Sequence, residues 1–276
     1  MIPKILHCGY PRSGNYLLHT ILRYVLYDNK ITYFSQKVGL SYIWKITYKQ
    51  YNLNELFPGY LNIDMIRVYN SQLFLCKMHK IKFLENIKVD KNLFFKTASL
   101  VWSNDNLKNL ACILENFDHI IYIVRDGRDA INSFIHFYSM PHIQKFFEKH
   151  RKYSVEDVYS NIKLFKKFVR LWTNHVSSYF EIKKLYPFQK KIILLRFEDL
   201  IKDKNIILDI FPQNILNKKI SKTNLTALFS FYKMKKSANH HLNFGHAGTW
   251  KNYFKKEHMK IFEELAGNYM EKLGYT

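Results

Sequence analysis

Five short apolar runs, at residues 4–8, 73–77, 93–97, 119–124 and 191–197, alternate with longer segments of helical period. That alternation is the βαβ pattern of a parallel sheet covered by helices. Each run ends close to a polar or glycine-containing turn. In open parallel sheets ligands sit beyond the carboxyl ends of the strands, so those turns are where chemistry is expected. The helices are equally legible. Ser154-Val-Glu-Asp157 has the form of a capping box opening an apolar stripe through Val158, Ile162, Phe165, Val169 and Trp172, which ends before Pro187. A last stripe, Met259, Phe262, Leu265, Tyr269 and Leu273, stops at Gly274.

The expected architecture is therefore α/β, a three-layer fold with a central parallel sheet flanked by helices, in one domain spanning 1–276. A chain of 276 residues can bury about three quarters of its unfolded surface. Its 47% hydrophobic and 17% aromatic content excludes wholesale disorder. The apolar runs are far too short to span a membrane, and the N-terminus lacks the pattern of a signal peptide. Three cysteines without CxxC or zinc spacing give no support to disulfides or a structural metal. A cytoplasmic, reducing compartment is the expectation.

Charge supplies the first positive clue. The formal net charge of +21 favours anionic partners, although lysine-rich composition accompanied by Asn, Ile, Phe and Tyr is also what AT-rich coding produces. The lysines are scattered and no nucleic-acid-binding module is present, so no nucleic-acid partner is expected.

The first run leads into Gly9-Tyr-Pro-Arg-Ser-Gly14-Asn-Tyr16 and then the apolar helix 17–27. A tight glycine-containing turn between strand and helix gathers backbone N–H groups and the positive end of the helix dipole at one place, a nest for phosphate or sulfate. The glycine spacing is that of a P-loop, but Asn15 and Tyr16 stand where Lys and Ser/Thr would hold ATP and magnesium. A cation stands inside the loop instead, at Arg12. After the fourth run, Arg125-Asp-Gly-Arg128-Asp-Ala-Ile-Asn-Ser133 puts a guanidinium at a strand end and a hydroxyl within the next helix, where the two can share an anion. Arg128 and Asp129 are expected to form a capping or surface ion pair.

Four segments in order carry a family resemblance. Pro11-Arg-Ser-Gly14 resembles the 5′-phosphosulfate loop of sulfotransferases that use 3′-phosphoadenosine 5′-phosphosulfate (PAPS), and 121–133 resembles their 3′-phosphate motif, RDPRDVxxS. Leu195-Arg-Phe197-Glu-Asp-Leu200 is similar to the YEDL strand end. Gly245-His-Ala-Gly248-Thr-Trp250 is similar to the C-terminal RKGxxGDWKNHF loop. The resemblance implies a P-loop-NTPase-like sulfotransferase fold, PAPS as donor with 3′,5′-bisphosphate product PAP, no metal, and transfer to a small-molecule, glycan or lipid acceptor. It implies Arg12 in catalysis and, around the cofactor, Arg12, Ser13, Gly14, Asn15, Tyr16, Arg125, Ser133, Phe197, Gly245, His246, Gly248 and Trp250. Phe197 and Trp250 are the candidates for adenine contact.

Departures from the pattern are specific. Asn243-Phe244 replaces the Arg-Lys pair of the C-terminal loop, and Phe197 replaces the Tyr of YEDL. The family's Lys-Thr-His base segment has two claimants: Lys77-Met-His79, and Lys96-Thr-Ala98, which has alanine at the histidine position. His79 and Lys96 are both carried as catalytic candidates. Residues 31–70 and 134–152 are expected to shape the acceptor pocket. The family's dimerisation pattern is not evident in 251–260, so the oligomeric state is open. Two other readings stand beside this one: a non-catalytic PAP- or glycan-binding relative, and a nucleotide kinase-like P-loop protein.

Overall fold

A computed structural model describes residues 5–26, 74–78, 93–97, 119–144, 153–184, 192–211, 225–230 and 247–275. The elements in chain order are β1 (Ile5–Cys8), α1 (Asn15–Leu26), β2 (Phe74–Met78), β3 (Leu93–Thr97), β4 (His119–Val124), α2 (Gly127–Tyr138), α3 (Val155–Ser160), α4 (Ile162–Lys184), β5 (Ile192–Arg196), α5 (Phe197–Lys202), α6 (Ile206–Ile210) and α7 (Lys256–Lys272). The five strands form one sheet in the order β2-β3-β1-β4-β5. All four pairings are parallel. The chain thus leaves β1 for one side of the sheet, returns through β3 beside it, and crosses to β4 on the other side. That reversal makes the carboxyl end of β1 a topological switch point, the position where open α/β sheets hold ligands.

β4 shows why the sheet has two covered faces. Ile120, Tyr122 and Val124 pack with α2, α4 and α7, around the fully buried Trp172, Phe165 and Phe262. Ile121 and Ile123, pointing the opposite way, pack with Leu18, Ile21, Leu22 and Val25 of α1 and with Leu200 and Ile207. Alternate residues of one strand therefore feed two separate cores, as the period of an extended chain requires. Complete burial of each large apolar side chain contributes roughly 1.5–3 kcal/mol.

Strand boundaries match the sequence reading to within one residue, and the expected three-layer α/β architecture is present. The capping box at Ser154 forms as expected: its hydroxyl accepts from Asp157 N–H at 3.0 Å, and Asp157 accepts from Ser154 N–H at 2.8 Å. The helix it opens differs from expectation. It stops at Ser160, Asn161 adopts extended backbone, and a new helix begins at Ile162, with Asn161 Oδ1 capping Leu164 N–H at 3.1 Å. Asparagine competes for helix N–H groups with its own side chain, which is why a continuous apolar stripe can cross a break in the backbone.

Candidate functional site

The turn after β1 is shaped by close approach. A Cβ on Gly9 would collide with the carbonyl oxygen of Ile123, and one on Gly14, at φ +92°, would collide with the ring of Phe197. Ser13 N–H closes the turn onto Tyr10 O at 3.1 Å, and Asn15 Nδ2 bonds Tyr10 O at 2.8 Å and Gly9 O at 3.2 Å. The helix then begins, with Leu18 N–H on Gly14 O at 3.0 Å. First-turn N–H groups of a helix have no carbonyl partner inside it, and here they face the loop. Two side-chain oxygens in the turn, Ser13 Oγ and Asn15 Oδ1, are buried without a hydrogen-bond partner among the described residues. The Ser13 hydroxyl thus keeps a proton to donate to a ligand, whereas Asn15 has spent its NH2 on the loop carbonyls and keeps only an acceptor oxygen.

Arg12 is the one non-glycine residue with positive φ among the described residues, at +71°. Such a conformation costs of order 1–3 kcal/mol and persists where surrounding contacts impose it. Those contacts are in the second motif: Arg12 Nε donates to Ser133 Oγ at 3.2 Å, its guanidinium lies 4.8 Å from the Phe137 ring centroid, and its carbonyl accepts from Arg125 Nη1 at 3.3 Å. The hydroxyl of Ser133, having accepted from Arg12, still has its own proton to donate. Burial, and secondarily repulsion from Arg125, push the Arg12 guanidinium down to about 10. Arg125 is likewise lowered by burial, while the carboxylates of Asp129, Glu198 and Asp126 act to keep it charged. Two guanidinia held together inside the protein at neutral pH make a site that an anion would relieve.

Arg125 itself sits 6% exposed at the end of β4, over the Phe197 ring at 4.8 Å and 3.9 Å from Asp129 Oδ2. The turn that carries it is tied to distant parts of the chain. Asp126 N–H donates to Glu198 Oε1 at 3.1 Å, Gly127 N–H to Met270 Sδ at 3.4 Å, and Tyr275 Oη to Glu198 Oε2 at 2.6 Å. Burial beside Glu198 pushes the Tyr275 phenol well up, so it stays a donor.

Of the residues expected at a cofactor, Arg12, Ser13, Gly14, Asn15, Tyr16, Arg125, Ser133 and Phe197 come together at the carboxyl ends of β1, β4 and β5. Phe197 is seated between Gly14 and the Arg125 guanidinium, so it supports both motifs from beneath. Gly248, at φ +85°, and Trp250 join through α2, as Gly248 N–H, Thr249 Oγ1 and Trp250 N–H all bond Asp129, at 2.6, 2.9 and 3.2 Å. The half-buried Trp250 ring lies 4.6 Å from the Arg128 guanidinium. Lys96 lies on β3 with its Cα beside His7 of β1, one position below the register of Cys8 with Thr97. His79, Ala98, Asn243, Phe244, Gly245, His246 and residues 31–70 lie outside the described residues.

One expectation is corrected. Arg128 pairs with Asp126, through Nε at 2.9 Å and Nη2 at 2.7 Å, and not with its neighbour Asp129. Asp126 is the N-cap of α2 and accepts Arg128 N–H as well, at 2.9 Å. Asp129 is buried at 1% exposure against Gly248, Thr249 and Trp250. Sequence reasoning missed its role because its partners, 119 to 121 residues away, leave no local signal. No cluster of three or more His, Cys, Asp or Glu suited to a metal occurs among the described residues, and none of their helices is long and apolar enough to cross a membrane.

A strand–loop–helix turn at the switch point of a parallel sheet, with Arg12 in it and Arg125 beside it, defines an α/β protein of P-loop-like form. The chain belongs to the sulfotransferase domain family, whose pattern matches residues 3–274. The fold is shared with the crystal structure of mouse sulfotransferase SULT7A1 complexed with PAP, at 19% identity and a TM-score of 0.53, covering 97% of this chain and 84% of that one. A sulfotransferase from Alicyclobacillus acidocaldarius matches at 11% identity and a TM-score of 0.38, covering 91% of this chain and 99% of that one. The curated proteins compared with the chain include no significant match.

Proposed function

We propose that the protein is a PAPS-dependent sulfotransferase acting on a hydroxyl or amine acceptor, in a single domain spanning 1–276. The observation that carries this is the junction of the two motifs: Arg12 Nε on Ser133 Oγ and Arg125 Nη1 on Arg12 O bring two arginines together where Ser13 and Asn15 hold unpartnered buried oxygens. The two guanidinia and the Ser13 hydroxyl are donors that suit a polyanionic nucleotide with phosphates at both ends better than a metal-chelated triphosphate. In this reading the loop amides of residues 13–16 hold the 5′-phosphosulfate, and Arg125 with Ser133 holds the 3′-phosphate. The segment of Gly248 and Trp250, with Gly245 and His246, borders the nucleotide. PAPS, once bound, supplies an activated sulfuryl group. Arg12 then stabilises charge developing on the leaving phosphate, in a loose transition state where positioning and electrostatics supply most of the catalysis. His79, or a group at the β3 end near Lys96, takes the acceptor's proton.

Calorimetric titration with PAP, with ADP and Mg-ATP as controls, tests the cofactor. Micromolar, metal-independent PAP binding is expected, and a preference for Mg-ATP would overturn the assignment. His79→Ala and Lys96→Ala, assayed side by side for sulfuryl transfer, test the base, and the substitution that leaves activity intact loses its claim. A second reading, a non-catalytic PAP- or glycan-binding relative, draws on Ala98 and Asn243-Phe244. It predicts PAP binding with no transfer to any acceptor in a broad screen.

A further inference from the structure

Asp129 is the second aspartate of the Arg125–Ser133 motif, a buried carboxylate to which the cofactor reading gives no role, and its hydrogen bonds and ion pair join two parts of the candidate site. Its Oδ2 lies 3.9 Å from Arg125 Nη2 and accepts Gly248 N–H at 2.6 Å. Its Oδ1 accepts Thr249 Oγ1 at 2.9 Å and Trp250 N–H at 3.2 Å. The same threonine hydroxyl receives Asn132 Nδ2 at 3.2 Å, and Asn132 Oδ1 receives Tyr159 Oη at 2.7 Å, so the attachment continues into α3. Three donors from one short segment, converging on one carboxylate, hold the Gly248–Trp250 backbone to the first turn of α2. A carboxylate with two acceptor oxygens can do this and a carboxamide cannot, because its NH2 would face either the loop's N–H groups or Arg125.

We propose that Asp129 is a positioning residue that fixes Arg125 and the Gly248–Trp250 segment relative to each other, making recognition of a 3′-phosphate depend on both at once. Arg125 is oriented on one side by the carbonyl of Arg12 and on the other by Asp129. Without Asp129, a buried guanidinium already facing Arg12 loses its nearest counter-charge, and the C-terminal segment loses the acceptor for three donors. Asp129 touches no nucleotide in this scheme; it acts through Arg125. The inference rests on the reading of Arg125 as the 3′-phosphate arginine.

The test compares PAP with AMP, which lacks the 3′-phosphate, by calorimetry on the full chain. The ratio of their dissociation constants isolates 3′-phosphate recognition. Asp129→Asn is expected to lower that ratio at least fivefold while AMP affinity stays within about twofold. In an Arg125→Ala background the same substitution is expected to leave the ratio unchanged, since the residue it acts through is already gone. A merely structural role would weaken both nucleotides alike, or act equally in both backgrounds, and either result overturns the proposal. Should Asp129→Asn fail to fold, Thr249→Val removes one donor to the same oxygen, and an unchanged ratio in that variant overturns it as well. If the wild-type chain binds PAP no better than AMP, the reading of Arg125 falls and this inference falls with it. If the wild type discriminates and Asp129→Asn discriminates equally, the inference alone fails.

Discussion

The two turns proposed to hold the nucleotide's anionic groups are built by opposite means. Residues 9–16 close on themselves: Ser13 bonds Tyr10, Asn15 bonds Gly9 and Tyr10, and the helix that follows supplies N–H groups by its geometry alone. Residues 125–133 are held from outside, by Glu198 after β5, Met270 and Tyr275 at the far end of the chain, and the Thr249 segment. A nest made of backbone can be carried by a short local sequence. An arginine that must stay charged while buried needs carboxylates whose placement the whole fold has to organise, because their cost of desolvation is offset only by close contact. Arg12 is the point where the two meet, built into the first turn and bonded to the second.

The largest expected effect therefore belongs to Arg12. Replacing it with alanine should lower turnover about 10²–10³-fold, the size seen when one preorganised charge-stabilising donor is lost. PAP affinity should fall far less. Steady-state kinetics beside calorimetry separates the two, and an unchanged turnover removes Arg12 from the mechanism. Arg125→Ala should cost roughly 1.5–3 kcal/mol in PAP binding, as expected for a charged hydrogen bond, with AMP binding nearly unaffected. Equal PAP affinity in that variant would collapse the distinction between the turns.

Gly14→Ala strains the local turn directly and reaches the other turn only through the Phe197 ring. The φ of +92° and the Phe197 ring leave no room for a methyl group, so a loss of about 1–3 kcal/mol in stability is expected on urea denaturation. A variant as stable as the wild type would mean that the first turn tolerates rearrangement. Tyr275→Phe removes only the hydroxyl on Glu198 and should cost about 0.5–1.5 kcal/mol in thermal stability. The comparison is sharpened if this small change at the chain's end weakens PAP while leaving AMP binding as it was. Weakening of both nucleotides would show that the second turn is not separately supported.

Much of this was legible in the chain itself. The five strands, the helix start at Ser154, the end at Gly274 and the glycine turn after β1 all follow from patterns a few residues long: apolar runs, capping chemistry, and glycine where backbones approach closely. Side-chain partnership was not. Asp126, Arg128 and Asp129 stand within four positions of one another, yet one caps the helix, one pairs with that cap beneath Trp250, and one is buried against a segment from the far end of the chain. Phe197 packs between Gly14 and the Arg125 guanidinium, a placement that no local pattern announces. Local structure is a property of neighbours along the chain, and sequence alone determines it here: which residues are extended, which coil, and which turn gathers N–H groups. Which of several equal charges is buried, and against what, depends on how distant elements pack. Only the tertiary structure decides it, because desolvating a charge is tolerated only where the rest of the fold has placed its partner.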